Sequence, residues 1–73
     1  MMYGIIARVT RKKNGVRENT GIATFFLDSD IQNITDVEHA ERIAGKILNP
    51  FEDPNLEVWA SAYAVERLAE VTP

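Results

Sequence analysis

The stretch Thr35-Asp36-Val37-Glu38-His39-Ala40-Glu41-Arg42-Ile43-Ala44-Gly45-Lys46-Ile47-Leu48-Asn49-Pro50 constrains the chain most, because it carries a helix with its start and stop signals. Thr35 followed three residues later by Glu38 matches a capping box, with the Thr hydroxyl on one orphan N–H and the Glu carboxylate reaching back to another. Val37, Ala40, Ile43, Ala44, Ile47 and Leu48 recur at helical spacing. At ~100° per residue they form an apolar stripe on the order of 140° wide. Pro50 lacks the N–H to continue and biases Asn49 out of the helical region, so the helix ends there. A stripe of that width must be covered, and only the flanking segments can do it.

Those flanks read as strands. Tyr3 to Thr10 alternates, with Tyr3, Ile5, Ala7 and Val9 on one side and Ile6, Arg8 and Thr10 on the other. Asn14-Gly15 follows, a dipeptide suited to the positive φ values of a type I′ hairpin turn. A regular hairpin around it pairs Lys13 with Val16, Ala7 with Ile22 and Tyr3 with Phe26. Tyr3, Ile5, Ala7, Val9, Ile22, Thr24 and Phe26 then share a face, and Ile6, Ala23, Phe25 and Leu27 lie opposite. Gly21 would exchange these faces beyond it if it marks a bulge. In either register both faces are apolar, and one helix covers only one of them. The second face is left for a partner, a second copy of the chain, or a terminal tail.

Asp28-Ser29-Asp30 and Ile31 to Ile34 read as a polar connection into the helix. After the helix, Asn49 to Asn55 contains Pro50 and Pro54 and reads as a loop, with Phe51 expected to tuck against the sheet or the helix end. Leu56 to Val65 fits period two better than period 3.6. Val58, Ala60, Ala62 and Ala64 fall on one side, and Trp59, Ser61, Tyr63 and Val65 on the other, so a strand is expected. Glu66 to Val71 is expected to form a short helical turn. The prediction is a single α+β domain over residues 1–73: a three-stranded antiparallel sheet with one helix packed on one face, in the order ββαβ.

Composition narrows the functional classes. A chain of 73 residues buries only ~60% of the surface its unfolded form exposes. It has no cysteine, which removes disulfides and thiolate metal sites and points to a reducing cytosol. No stretch approaches the ~20 apolar residues of a membrane-spanning helix, and no basic segment precedes the short apolar run at the start. The net charge of −3 disfavours general nucleic-acid binding, which rests on neutralising phosphates. Even so, Arg8, Arg11, Lys12, Lys13 and Arg17 place five of the eight basic residues within ten positions, the last four of them at the predicted hairpin tip.

No catalytic constellation is visible. His39 is the only histidine, and Ser29 and Ser61 fall on elements unrelated to it. Gly45-Lys46 lacks the rest of a phosphate loop. Asp28 and Asp30 match the opening of a calcium loop, but the glycine and distant glutamate that complete one are absent. The sequence therefore predicts no enzyme, no metal and no cofactor. Trp59 and Tyr63, two steps apart on one side of the last strand, either anchor a partner or complete the core under the helix.

The order of hairpin, capped helix of the T-D-V-E-H-A-E-R-I-A-G-K-I type, Asn-Pro loop and final strand resembles small proteins of bacteriophages and mobile elements, among them several anti-CRISPR proteins. The likeness lies in core positions such as Ala40, Ile43, Ala44 and Ile47, and carries no functional residue over. It implies a protein of the host cytoplasm that acts without catalysis, covering a surface of a larger, nucleic-acid-handling complex, often with acidic groups. Candidate partner-binding residues are Asp28, Asp30, Glu38, Glu41, Trp59 and Tyr63. One alternative is a nucleic-acid-binding module using Arg11, Lys12, Lys13 and Arg17; another is a homodimer that assembles with itself.

Overall fold

The hairpin forms where Asn14-Gly15 places it. Asn14 has φ 53° and Gly15 φ 78°, the left-handed pair that matches a two-residue turn to the twist of its strands. The computed structural model describes residues 1–65, and in it the turn joins β1 (Met2–Lys13) to β2 (Val16–Asp28). A short helix α1 (Ser29–Gln32) stands where a polar connection was expected; α2 (Val37–Leu48) and β3 (Leu56–Val65) follow. The sheet order is β2-β1-β3, with both outer strands antiparallel to β1. The fold is therefore the expected α+β arrangement, a three-stranded antiparallel sheet with α2 on one face. The helical turn expected over Glu66 to Val71 lies outside the described residues.

The expected strand register fails at one place, and the cause is Gly21. Near the turn Lys13 pairs with Val16 and Thr10 with Asn19, but Val9 pairs with Gly21, leaving Thr20 as an extra residue. Gly21 sits at φ 133°, where a side chain would be strained. Thr20 Oγ1 donates to the Val9 carbonyl at 2.9 Å. Beyond this bulge the faces exchange: Tyr3 pairs with Leu27, Ile5 with Phe25 and Ala7 with Ala23. Ala23, Phe25 and Leu27 thus face the helix, whereas Ile22, Thr24 and Phe26, expected there, lie on the opposite face.

The core lies between the sheet and α2. Its buried apolar members are Tyr3, Ile5, Ala7, Leu27, Ile34, Ala40 and Ala44, with Phe25, Ile43, Leu48, Val58, Ala60 and Ala62 packed at its border. Ile5, 1% exposed, is the only large side chain among the described residues that is fully buried. Ala40 and Ala44 on α2 meet a sheet surface that β3 lines with alanines, and small residues on both sides let helix and strand approach closely. The stripe is narrower than expected, since Val37 and Ile47 are exposed, and Phe51 is 94% exposed rather than tucked in.

The helix cap also differs from expectation by one residue. Asp36, not Thr35, is the N-cap; its Oδ1 accepts the His39 N–H at 2.7 Å. The reciprocal bond comes from His39, whose Nδ1 accepts the Thr35 N–H at 3.2 Å. The arrangement departs from a capping box, in which the return bond goes to the cap residue's own N–H: His39 reaches one residue further back, to Thr35, and takes the part expected of Glu38. His39 is consequently half-buried and structural instead of projecting freely from the polar side. After α2, Asn49 and Asp53 close the loop on each other: Asp53 N–H donates to Asn49 Oδ1 at 2.9 Å, and Asn49 Nδ2 to the Asp53 carbonyl at 3.1 Å. The molecule is elongated, 57 × 24 × 15 Å, because residues 11–20 at the hairpin tip are all exposed.

Candidate interaction surface

The sheet face turned away from α2 is built by residues the register brings into rows. Crossing β2, β1 and β3 in turn, the rows are Asp28–Met2–Val65, Phe26–Gly4–Tyr63, Thr24–Ile6–Ser61, Ile22–Arg8–Trp59 and Asn19–Thr10–Glu57. No described element packs over them. Met2, Ile6, Ile22, Phe26, Trp59 and Tyr63 are all exposed there, so the large apolar groups of the middle rows form one continuous surface.

Local contacts shape this surface. The Arg8 guanidinium lies 4.7 Å from the centre of the Trp59 ring, a cation–π contact that lays the arginine flat and holds the indole in place. The phenol end of Tyr63 lies over Gly4, and a Cβ at Gly4 would collide with it. At the tip end Arg17 donates to Thr10 Oγ1 at 2.9 Å and pairs with Glu57 at 3.1 Å; at the other end stands Asp28. The face therefore has an apolar, aromatic middle and polar ends, the anatomy of a protein interface. Of the two readings of Trp59 and Tyr63, completion of the core under the helix is incorrect. The alanine side of β3 faces α2 and turns both aromatics outward.

The other candidate residues do not gather with them. Asp28 caps α1, its Oδ1 accepting the Asp30 N–H at 2.9 Å, and Asp30 lies 3.9 Å from the Met1 amino nitrogen. Glu38 is exposed in the first turn of α2. Glu41 has a structural partner, since its Oε1 accepts the Ala62 N–H at 3.3 Å, on the strand edge that β1 does not pair. Of the basic group, Arg11 pairs with Asp53 at 3.2 Å and Arg17 with Glu57, while Lys12 and Lys13 are exposed at the tip.

Among the described residues no three His, Asp or Glu side chains converge as a metal site would require. No described helix is long and apolar enough to cross a membrane. A hollow of about 450 Å³ at the sheet end is lined by Met1, Met2, Asp28, Asp30 and Val65; its titratable groups are the Asp28 and Asp30 carboxylates and the Met1 amino group. The residues that sequence reasoning missed are Met2, Arg8, Ile22 and Phe26 on the outer face. Gly21 was the signal that could have found the last two, because a glycine inside a strand pattern marks a bulge that exchanges faces. No family model, curated protein or solved structure matches the chain.

Proposed function

We propose that this protein is a non-catalytic protein-binding module and that the outer face of its sheet is the binding surface. One observation carries the reading: Ile6, Ile22, Phe26, Trp59 and Tyr63 form a continuous exposed apolar surface on regular strands. Soluble domains seldom leave such a surface uncovered without a partner. Trp, Tyr and Arg are the residue types that dominate binding energy at interfaces; Arg8 and Trp59 adjoin here, and Tyr63 stands two rows away across Ile6.

Rigid strands supply preorganisation. Arg8 on Trp59 and Tyr63 on Gly4 are ordered before any partner arrives, so less side-chain freedom is lost on binding. The acidic group contributes less to this reading, since Asp28, Asp30 and Glu41 each already have a partner within the chain. The basic tip is likewise partly occupied by Asp53 and Glu57. Inhibition of a larger host complex, as the phage-protein resemblance implies, would be a consequence of covering that complex's surface with this face.

The test is affinity capture from a bacterial lysate with the wild-type chain and with Ile22→Lys, a substitution at an exposed position that leaves the core untouched. Proteins retained by the wild type and lost with Ile22→Lys are the expected result. Identical recovery by both, from a wild-type chain that does not associate with itself, would overturn the proposal.

A further inference from the structure

The outer face has the size and pattern of half an interface with itself. Six apolar side chains on it, Met2, Ile6, Ile22, Phe26, Trp59 and Tyr63, are between 37% and 70% exposed. Taking ~150–250 Å² for a whole aromatic side chain and somewhat less for the aliphatic ones, they present roughly 600 Å² of apolar area. Monomeric proteins rarely exceed ~300–600 Å² in one patch, and a standard interface takes ~800 Å² from each partner. Arg8, Thr24, Ser61 and the polar ends supply the remainder.

We infer that this face pairs with the same face of a second copy, giving a two-fold dimer in which two three-stranded sheets stack with a helix on each outside. The inference rests on the reading of this face as a protein-binding surface, and names its occupant. The row pattern is nearly symmetric about Thr24–Ile6–Ser61, with one aromatic-bearing row two residues along on each side. A two-fold axis lying across the strands at Ile6, between the sheets, sets Phe26 over Ile22 of the second copy and Tyr63 over Trp59 of the second copy. Both contacts occur twice, as an isologous interface requires.

Charge agrees with this arrangement. Arg8 is the one charged side chain in the middle rows, and each Arg8 lies two residues from the axis, so the two copies' guanidinium groups stand roughly 13 Å apart along the strands at ~3.3 Å per residue. They do not oppose each other. The core gives a second, independent reason. With Ile5 as the only fully buried large side chain among the described residues and no cysteine in the chain, a protomer this short is thinly stabilised, and oligomerisation is one of the few remaining ways to add buried area. Stacking the outer faces turns a two-layer protomer into a four-layer α/β/β/α body with a second core.

Sedimentation equilibrium of the full chain, with thermal unfolding at several protein concentrations, tests the inference. The expected mass is twice 8.2 kDa, with an unfolding midpoint that rises with concentration because the dimer dissociates as it unfolds. Ile6→Lys places two ammonium groups at the axis and is expected to give a monomer; Ile31→Lys, at an exposed position of α1 outside the rows of the face, is expected to remain a dimer. If Ile6→Lys unfolds outright, the concentration dependence of the wild type still decides. A wild-type mass of 8.2 kDa with a concentration-independent midpoint overturns the inference, and so does a dimer that survives Ile6→Lys. A wild-type monomer leaves the broader reading of the face standing, with another protein as its occupant; that reading fails if the wild type is monomeric and capture of other proteins is also indifferent to Ile22→Lys.

Discussion

Deleting Thr20 should leave the protein folded, and deleting Thr24, four residues further along the same strand, should not. Thr20 is the extra residue of the bulge, so its removal restores one-to-one pairing and keeps Ala23, Phe25 and Leu27 on the helix side. What is lost is an exposed hydrogen bond from Thr20 to the Val9 carbonyl, a net ~0.5–1.5 kcal/mol. Relief of the positive φ at Gly21 offsets part of it, and the expected net change is within ~1 kcal/mol. Deleting Thr24 slips the strand end by one position, moving Leu27 outward and drawing Asp28 into the buried site opposite Tyr3. Leu27 alone forfeits ~1.5–3 kcal/mol, and a carboxylate without a partner in the interior costs several more. A domain of 73 residues has only ~4–11 kcal/mol in total at ~0.05–0.15 per residue. Urea titration followed by far-UV circular dichroism, at one fixed protein concentration, reads the difference. The Thr20 deletion should shift the midpoint by less than ~1 M, for m-values of ~1–3 kcal/mol/M. The Thr24 deletion should abolish the transition. Equal losses in the two variants would refute the assigned register.

Three further outcomes are expected. Ile5→Ala empties the one large position that is fully buried among the described residues and should cost ~2–5 kcal/mol, a drop in melting temperature of roughly 8–40 °C at ~4–8 °C per kcal/mol; scanning calorimetry checks it. Asp36→Ala should cost ~0.5–2 kcal/mol as loss of a true N-cap, whereas Thr35→Ala should cost clearly less in the same denaturation assay, the reverse of what a Thr35 cap predicts. Gly4→Ala must push the Tyr63 ring off its seat. The ring's exposed position lets it swing, so stability should fall by only ~1 kcal/mol while the Tyr63 ring resonances shift markedly in the proton NMR spectrum.

Elements with a strong local signal were readable before the structure. Asn14-Gly15 gave the hairpin, period two gave Leu56–Val65 as a strand, and the apolar spacing with Pro50 gave α2 to within two residues at its start. What was hidden depends on relations between elements. In β2 both alternating sets, Ile22 and Phe26 or Ala23, Phe25 and Leu27, are apolar, so periodicity could not say which set meets the helix; one added residue at Thr20 decided it. The cap was ambiguous for a similar reason, since Thr35 and Asp36 are adjacent and both can cap, and His39 served as the return partner that Glu38 was expected to be. Trp59 and Tyr63 were placeable only from the helix. Ala40 and Ala44 bring α2 too near the sheet to leave room for an indole beneath, so the alanine side of β3 must be the inner one. The same residues that looked like core on hydrophobicity alone are surface because a smaller set fits the gap.

The bond from Ala62 to Glu41 bears on how far association can go. Each outer strand of the sheet has one backbone N–H taken by a side chain: on β3 the Ala62 N–H donates to the Glu41 carboxylate reaching over from α2, and on β2 the Gly21 N–H donates to Asn19 Oδ1 at 3.4 Å, beside the bulge. A chain with two sticky borders can add copies head to tail without limit and grow into a filament. Side-chain acceptors and a bulge are devices that blunt such borders, and Glu41 places one of them on β3 by spanning from the helix to the strand.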